Sequence, residues 1–600
     1  MAETTAGNPS AASYLPIGGG FLLAEVGAQA IDTPDAFTHE QREFFRTARK
    51  FGRERIVPAS PAIESKDFPT IRALLREAGE LGLLSLDVPE EFGGLAQDLT
   101  TSALVAEAMT VQGSWSVVFG AHVGIGTLPI VYFGTHEQQA RYLPKLSSGE
   151  WAAAYALSEA SSGSDALGAR TRAVLSPDGR HWVLNGTKQW ISNAGFADVF
   201  IVFAKVDGDK FTAFLVDRGT PGFTTGAEEH KMGIRGSSTR SLVFEDAQVP
   251  VENLLGEVGK GHRIALNILN IGRLKLGVTC MAAIRQVVEL SATYARDRKA
   301  FGKPISDFGL IREKLARMVA LAYVGEAMSY RTTGLIDRRA AAGGAAPGTP
   351  DYERDRITAV EEYSVEASIL KVWGSEALSQ VADEGVQIHG GYGFVEEYVV
   401  ERIYRDNRVN RIFEGTNEIN RLLVPGTLLK RAAKGGYPFL DLATKAARAA
   451  EAGVPAAAPG RLSRERRVAE LNKLLFGFAA GVAVKELGLA ISERQEVLAA
   501  LADVAMEAFA VDSAVARALQ AAPDPVAEAC VSLYAEESHL RAVQRARGAL
   551  LAAVKDPVKA RGALERMRRL VDEEPGDVVA WREAIAGPTI ELGRYPLAWN

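Results

Sequence analysis

One short island constrains the architecture. In a chain whose apolar residues mostly recur at helical spacing, the stretch from about 153 to 256 reads as strands instead. His181-Trp182-Val183-Leu184, Val199-Phe200-Ile201-Val202-Phe203, Phe211-Thr212-Ala213-Phe214-Leu215-Val216 and Ser241-Leu242-Val243-Phe244 are short runs rich in β-branched and aromatic residues. Pro177-Asp178-Gly179, Asp207-Gly208-Asp209 and Pro221-Gly222 separate them, as turns separate antiparallel strands. A β-domain is therefore enclosed by helices on both sides, which excludes a simple bundle and an alternating α/β fold.

The flanks fill in the rest. Residues 1–37 read as an arm. Thr38-His39-Glu40-Gln41 has capping-box spacing, and Phe44, Phe45, Ala48 and Phe51 follow at helical spacing, opening a helical domain over 38–152. After the β-domain (153–256), Leu310, Ile311, Leu315, Met318, Val319 and Ala322 form one apolar stripe of a helical block over 257–434. Residues 435–462, with Pro455-Ala456-Ala457-Ala458-Pro459-Gly460, read as a linker. Residues 463–600 are Ala/Leu/Glu/Arg-rich and form an extra helical region. The expected class is mostly α with a small antiparallel, barrel-like β-domain in the middle, a C-terminal four-helix domain and a further helical extension.

Six hundred residues exceed what one core serves, so several packed regions are expected. With 47% hydrophobic and 24% charged residues the chain is not broadly disordered. A net charge of −6 gives no global basic field, so no nucleic-acid partner is expected. Cys280 and Cys530, two in all, make neither a disulfide framework nor a zinc site, so no metal is expected and a reducing cytoplasm suits the chain. The Met-Ala-Glu-Thr-Thr start lacks the basic region of a secretory signal. Tyr14 to Ala30 is broken by Gly18-Gly19-Gly20 and Glu25, and Leu474 to Ala490 carries Lys485 and Glu486, so neither reads as a transmembrane helix.

Five motifs can carry chemistry, each with a bland alternative. Tyr155 to Asp165 (Tyr-Ala-Leu-Ser-Glu-Ala-Ser-Ser-Gly-Ser-Asp) offers hydroxyls and glycine-exposed N–H groups to a polar ring or phosphate, or is a flexible turn. Lys188-Gln189-Trp190-Ile191-Ser192-Asn193 places a flat apolar ring beside hydrogen-bonding neighbours, or plugs the β-domain core with the Trp. Ala295 to Lys303 carries Arg296, Arg298, Lys299 and Lys303, which can hold phosphates or cap a solvated helix end. Gln387-Ile388-His389-Gly390-Gly391 fits a helix C-cap, and equally a close backbone approach by a ligand. In Arg411-Ile412-Phe413-Glu414-Gly415-Thr416-Asn417-Glu418-Ile419, apolar neighbours would raise the basicity of Glu414 and Gly415 would admit a ligand; otherwise Glu414 complements a helix dipole.

Taken together and in this order, from about Phe37 to Arg431, these motifs resemble the acyl-CoA dehydrogenases. The C-terminal extension, Ile268 to Arg273, Phe308 to Met318 and Arg411 to Ile419 resemble the very-long-chain branch. The resemblance implies an FAD enzyme of fatty-acid β-oxidation. Glu414 would take the pro-R α-hydrogen of a saturated acyl-CoA as a proton while the β-hydrogen leaves as hydride. The Glu414 N–H and a ribityl hydroxyl would polarise the thioester. Tyr155, Leu157, Ser158, Gly163 and Ser164 would contact FAD, with Ser164 also near the substrate. Trp190, Ile191 and Ser192 would flank its ring, and Thr416 and Glu418 its adenosine side. Arg298, Phe301, Gln387 and Gly391 would reach the FAD of a second subunit, which implies a homodimer or larger oligomer. Asn270, Arg273, Phe413 and Gly415 would line the acyl-CoA channel.

Some branches carry the base on the helix bearing Arg273; Gly272 cannot serve, leaving Glu414. Ser158, Ser192 and Phe413 replace commoner Thr, Thr and Tyr, and Ala160-Ser161 replaces Pro-Gly. Small residues around Gly120 favour a medium-to-long straight chain, whereas an inward Trp115 would shorten it. Electron-transferring flavoprotein is the implied acceptor. An oxygen-using acyl-CoA oxidase and a non-catalytic assembly protein are the alternatives on this fold. The branch leaves room for peripheral contact with the inner face of a membrane, although the matching stretch after Tyr437 lacks a strong basic amphipathic face.

Overall fold

The computed structural model describes residues 15–28, 30–455, 459–572 and 574–599. The arm before Tyr14, Tyr14 itself and Ala456–Ala458 of the expected linker lie outside the described residues.

The first helical region holds α1 His39–Phe51, α2 Ser60–Glu64, α3 Phe68–Glu80, α4 Leu99–Ala108, α5 Gly113–Gly120, α6 Leu128–Phe133 and α7 His136–Ser147. The reciprocal Thr38–Gln41 bonds that open α1, both 3.1 Å, form the capping box. A wide π-helical turn, Ala121–Gly126, follows α5 and carries Gly124 into the site described below.

The β-domain comprises β1 Ala153–Ala156, β2 Arg172–Leu175, β3 His181–Ser192, β4 Val199–Val206, β5 Lys210–Asp217, β6 Phe223–Glu228, β7 Thr239–Pro250 and β8 Leu254–Leu255. The path runs β6-β7-β3-β2-β4-β5-β8, with β1 beside β4, and does not close into a barrel. Nor is it wholly antiparallel, since β1 and β2 both run parallel to β4. Turn residues between successive strands do not reveal this, because the parallel partners are not neighbours in sequence. A bulge between Lys188 and Ile191 turns Trp190 outward.

Next come α8 Gly261–Asp297, α9 Gly309–Ala341, α10 Pro350–Glu362, α11 Ser364–His389, α12 Val399–Asn407 and α13 Asn417–Ala433. The segment read as a linker contains a helix, α14 Phe439–Ala452, which buries Phe439, Leu442, Ala446 and Ala450. Its Ala/Pro/Gly composition concealed an i, i+3, i+4 stripe. The extension adds α15 Ser463–Leu487, α16 Gln495–Gln520, α17 Pro525–Ala553, α18 Pro557–Met567 and α19 Val578–Leu592.

The extension does not pack as a body of its own. Helix α9 touches α8 and α11 of the preceding block and α16, α17 and α19 of the extension, so one continuous hydrophobic cluster runs through both. Buried ion pairs stitch the seam. Arg517 of α16 reaches Glu326 of α9 at 2.9 Å, and Asp512 bridges Arg331 (2.5 Å) and Lys473 (2.8 Å). The chain then returns to the first domain, where Trp599 packs on Phe37 and Phe45, with ring centroids 4.8 and 4.6 Å apart. Three stretches are long and apolar enough by length and composition to cross a membrane: Gly113–Phe133, Gly261–Asp297 and Ser463–Glu493. Between half and two-thirds of each apolar window is buried within the protein (50–67%).

Candidate active site

The chain between α12 and α13 makes the sharpest local commitment in the molecule. Glu414 has φ 58° and Gly415 φ 76°, so a non-glycine residue occupies the left-handed region just before a glycine that does so readily. The surroundings hold this strained turn. Arg273 Nε donates to the Glu414 carbonyl at 3.1 Å, and Asn420 Nδ2 donates to the carbonyls of Glu414, Gly415 and Thr416 at 3.3, 2.8 and 3.1 Å. Thr416 then caps α13, its hydroxyl accepting from the Ile419 N–H at 3.3 Å. Glu418 is the acidic residue in the first turn of α13, so Glu414 is free of that role.

The Glu414 side chain lines a cavity. Its Oε2 is buried and has no hydrogen-bond partner. Burial pushes the carboxyl up to about 7, against the opposing pull of Arg273 and then Lys371. Lys371, buried on α11, donates to Asn417 Oδ1 at 2.7 Å, and burial lowers its own pKa to about 8. On the β-domain side Tyr155 stands edge-on to Phe203 at 5.2 Å, with its hydroxyl unpaired. Burial raises that hydroxyl well above its ordinary value, and the charge of Glu414 adds to the effect.

Glu414 sits in the wall of a cavity with about 1310 Å³ of atom-free space, solvent at its mouth included. The cavity lies among α5 with its π-turn, α8, α12 and the catalytic turn, and Ser192 of β3 joins the wall beside Ile234. Gly272 faces the carboxylate so closely that a Cβ there would lie 2.6 Å from Glu414 Oε2. Gly272 therefore makes room for the Glu414 carboxylate.

The structure sorts the other expected site residues into three groups. Phe413 and Ser192 line the cavity with Glu414. Asn270 and Arg273 do not: both are buried, joined to each other at 2.8 Å, and hold the catalytic turn from behind. Their helical spacing alone could not tell wall from buttress. Gly415 sits at the turn itself.

The second group is the β-domain face. The loop after β1 is clamped, not loose: fully buried Lys188 reaches Leu157 O at 3.2 Å and Glu159 Oε1 at 2.7 Å, while Glu159 also accepts from Arg170 N and Thr171 N at 2.6 and 3.0 Å. The Ser158 carbonyl accepts from Gln189 N at 2.9 Å. Beyond the clamp, Ser164 is exposed and Gly163 has open space on its Cβ side. Trp190 is 57% exposed, which rules out a core plug; Ile191 is the core residue, so its side chain faces away from any ligand on this surface. Leu157 is likewise buried.

The third group lies at the opposite end of α8. Arg298, over the Tyr392 ring at 5.6 Å, and Gly391 line a separate hollow, with Gln387 exposed on the helix leading to it and Phe301 95% exposed nearby. Arg298 lies 26 residues beyond Gly272, roughly 39 Å along the helix line. One chain thus carries two separate sets of ligand-type residues.

Family models for the N-terminal, middle and C-terminal domains of acyl-CoA dehydrogenases match residues 38–150, 154–247 and 259–429, and a further acyl-CoA dehydrogenase C-terminal model matches 471–569. The chain belongs to the acyl-CoA dehydrogenase family. It is thus an FAD-dependent oxidoreductase acting on a CH–CH group. Over 587 residues it is 46% identical to a probable acyl-CoA dehydrogenase of Bacillus subtilis (strain 168), covering 96% of this chain and 98% of that one. It is 42% identical over 411 residues to the human mitochondrial very long-chain specific enzyme, spanning 66% of this chain and 59% of that one. A crystal structure of an acyl-CoA dehydrogenase from Bacillus anthracis complexed with FAD superposes with a TM-score of 0.93 at 44% identity, over 96% of this chain and 99% of the other.

The residues of this enzyme fit such a cofactor. A planar ring needs an outward flat apolar neighbour, and Trp190 supplies one; it needs hydrogen-bonding groups at its edge, and Ser192, Ser158 and Ser164 stand outside the β-core. Sequence reasoning missed Lys371 and Asn420. The signal for Lys371 was present: a lone lysine within Ile369-Leu370-Lys371-Val372-Trp373 must be buried if the helix is.

Proposed function

We propose that the enzyme converts a saturated medium-to-long straight-chain acyl-CoA to its trans-2-enoyl-CoA in fatty-acid β-oxidation, with Glu414 as the base. The observation that carries this reading is a carboxylate with a buried, unpaired oxygen, poised near 7, in the wall of a mostly apolar cavity. Near neutrality such a group is ionised often enough to accept a proton, and basic enough to hold it. The Glu414 backbone N–H donates to no group among the described residues, so it is available to the thioester oxygen and would stabilise the negative charge that develops there as the α-proton leaves. Bound FAD supplies the acceptor for the β-hydrogen as hydride. Tyr155, Leu157 (through its backbone), Ser158, Gly163, Ser164, Trp190, Ile191 (through its backbone), Ser192, Thr416 and Glu418 would hold it. Arg298, Phe301, Gln387 and Gly391 would hold that of a second copy, which makes the homodimer part of the proposal.

The room in the cavity supports a long acyl tail. Gly120 and Gly124 line it with open space on their Cβ sides, and Trp115 points instead into the first domain's core beside Phe119. Electrons then pass to electron-transferring flavoprotein. The test is anaerobic mixing of the purified protein with an acyl-CoA length series. A yellow protein whose flavin absorbance bleaches, best with medium-to-long chains, is the expected result. A colourless protein that FAD cannot reconstitute would refute it, and stoichiometric peroxide release in air would mark an oxidase instead.

A further inference from the structure

The cavity wall is mixed in character. Around Glu414 it is Ile125, Ile271, Leu276 and glycine, as an acyl chain requires. Elsewhere on the same wall α8 brings Gln286, α12 brings Arg402 and Asn407, and the short turn after α12 brings Asn410. A plain hydrocarbon offers such groups nothing, so a cavity built only for one should satisfy them within the protein. Several polar neighbours are satisfied in that way. Thr110 and Ser116 pair at 3.2 Å, Lys275 reaches Asp87 at 2.9 Å, and Gln112 serves Trp115 N and Glu64, at 2.6 Å each.

These four wall residues are not. Asn407 spends its amide N–H groups on the Ile403 and Tyr404 carbonyls, which fixes its orientation and leaves Oδ1 buried without a partner. Among the described residues the Asn410 amide donates only to the Cys280 sulfur, at 3.9 Å, and its oxygen accepts no hydrogen bond. Gln286 makes one long bond, 3.4 Å, to Val111 O. Arg402 makes no hydrogen bond or close ion pair among the described residues, although its charge acts on Asp406, which lines the same cavity and accepts from the Ile234 N–H.

We propose that the enzyme prefers acyl chains carrying an oxygen function, a hydroxyl or carboxyl, in their distal half, with Asn410 and Arg402 as specificity-determining residues. Cys280, against which Asn410 rests, lies eight residues past Gly272, roughly 12 Å along α8 from the base. That distance puts the oxygen well beyond the reacting carbons, so it tunes selection and not chemistry. A site with unpaired hydrogen-bonding groups rejects the analogue that cannot pair with them more strongly than an apolar pocket rejects a stray hydroxyl.

The inference rests on the acyl-CoA dehydrogenase reading above and is tested on the holoenzyme. Flavin reduction is measured with three chain-length-matched substrates: a plain acyl-CoA, one hydroxylated in its distal half, and one ending in a carboxylate. An oxygenated substrate is expected to exceed the plain one by roughly tenfold or more in kcat/KM, mainly through KM. If the hydroxylated substrate leads, Asn410→Leu should erase the margin; if the carboxylate leads, Arg402→Gln should. A plain chain that matches or beats both oxygenated substrates in the wild type overturns the inference and leaves the proposed function standing. Failure of all three to reduce the flavin overturns the proposed function, and this inference with it.

Discussion

Replacing Gly272 with alanine adds one methyl group and tests the site more sharply than removing the base. The added Cβ would stand 2.6 Å from Glu414 Oε2, 2.7 Å from Cδ and 2.9 Å from Oε1, where ordinary contact begins near 3.4 Å. The carboxylate must therefore retreat by about 0.8 Å, the difference between 3.4 and 2.6 Å. The backbone cannot take up that shift cheaply. Gly272 lies in a 37-residue helix between buried Ile271 and Arg273, and the catalytic turn is pinned by Arg273 and Asn420. The side chain has to swing instead. A misplacement approaching 1 Å costs on the order of 10²-fold in rate when the reacting atoms must meet within van der Waals distance. Anaerobic stopped-flow flavin reduction at saturating acyl-CoA reads this directly. The expected result for Gly272→Ala is a rate constant about 10²-fold lower, with FAD content and melting temperature close to wild type, because Trp190, Ser192 and the clamped loop after β1 are untouched. Glu414→Gln, which cannot accept the proton, sets the floor. Reduction by Gly272→Ala within about 3-fold of wild type, less than 1 kcal/mol in barrier, would show that the carboxylate does not work from this position.

Because Glu414 must be ionised to act, the flavin reduction rate should rise with pH through about 7; Lys371→Met should move that rise to higher pH by about one unit or more, and an unmoved limb would remove Lys371 from any part in tuning the base. The same shift bears on stability with the opposite sign. The folded-state pKa lies above the ordinary 4.5, so stability present below pH 4.5 is lost as pH rises toward 7. Glu414→Gln should therefore be more stable than wild type at pH 8, by at most about 3 kcal/mol, with the advantage gone near pH 4.5; equal melting curves at both pH values would contradict the burial of this charge. Gly120→Leu, filling open space in the cavity, should cut kcat/KM for long acyl-CoA at least tenfold while sparing short chains; a uniform loss at all lengths would mean that the tail does not run past α5.

Much of the order of this fold was legible because period-2 and period-3.6 patterns are local. The strands from His181 to Phe244 and the stripe on α9 follow from residue spacing alone. Helix α14 was lost to a compositional reading, although Phe439, Leu442, Ala446 and Ala450 carry the spacing of a buried face. The parallel placement of β1 and β2 beside β4 was not legible, because no short-range pattern encodes partners separated by other strands. The extension looked like a separate body in sequence. It shares a core with α9 because that helix is apolar on two faces, and a stripe count on one face misses the second.

Sequence alone marked Glu414: an acid between Phe413 and Gly415, in a chain with four companion motifs in family order. Residue type and spacing left a helix-dipole role open for it, and the role of base came from the resemblance that the five motifs carry together. Only the tertiary structure showed that Asn270 and Arg273 brace the turn and do not line the cavity, that Trp115 lies in the first domain's core, and that Gly272 leaves the space beside the carboxylate. Those facts depend on which way a side chain points between packed helices. Backbone geometry and burial set that direction jointly, across more than a hundred residues of intervening chain.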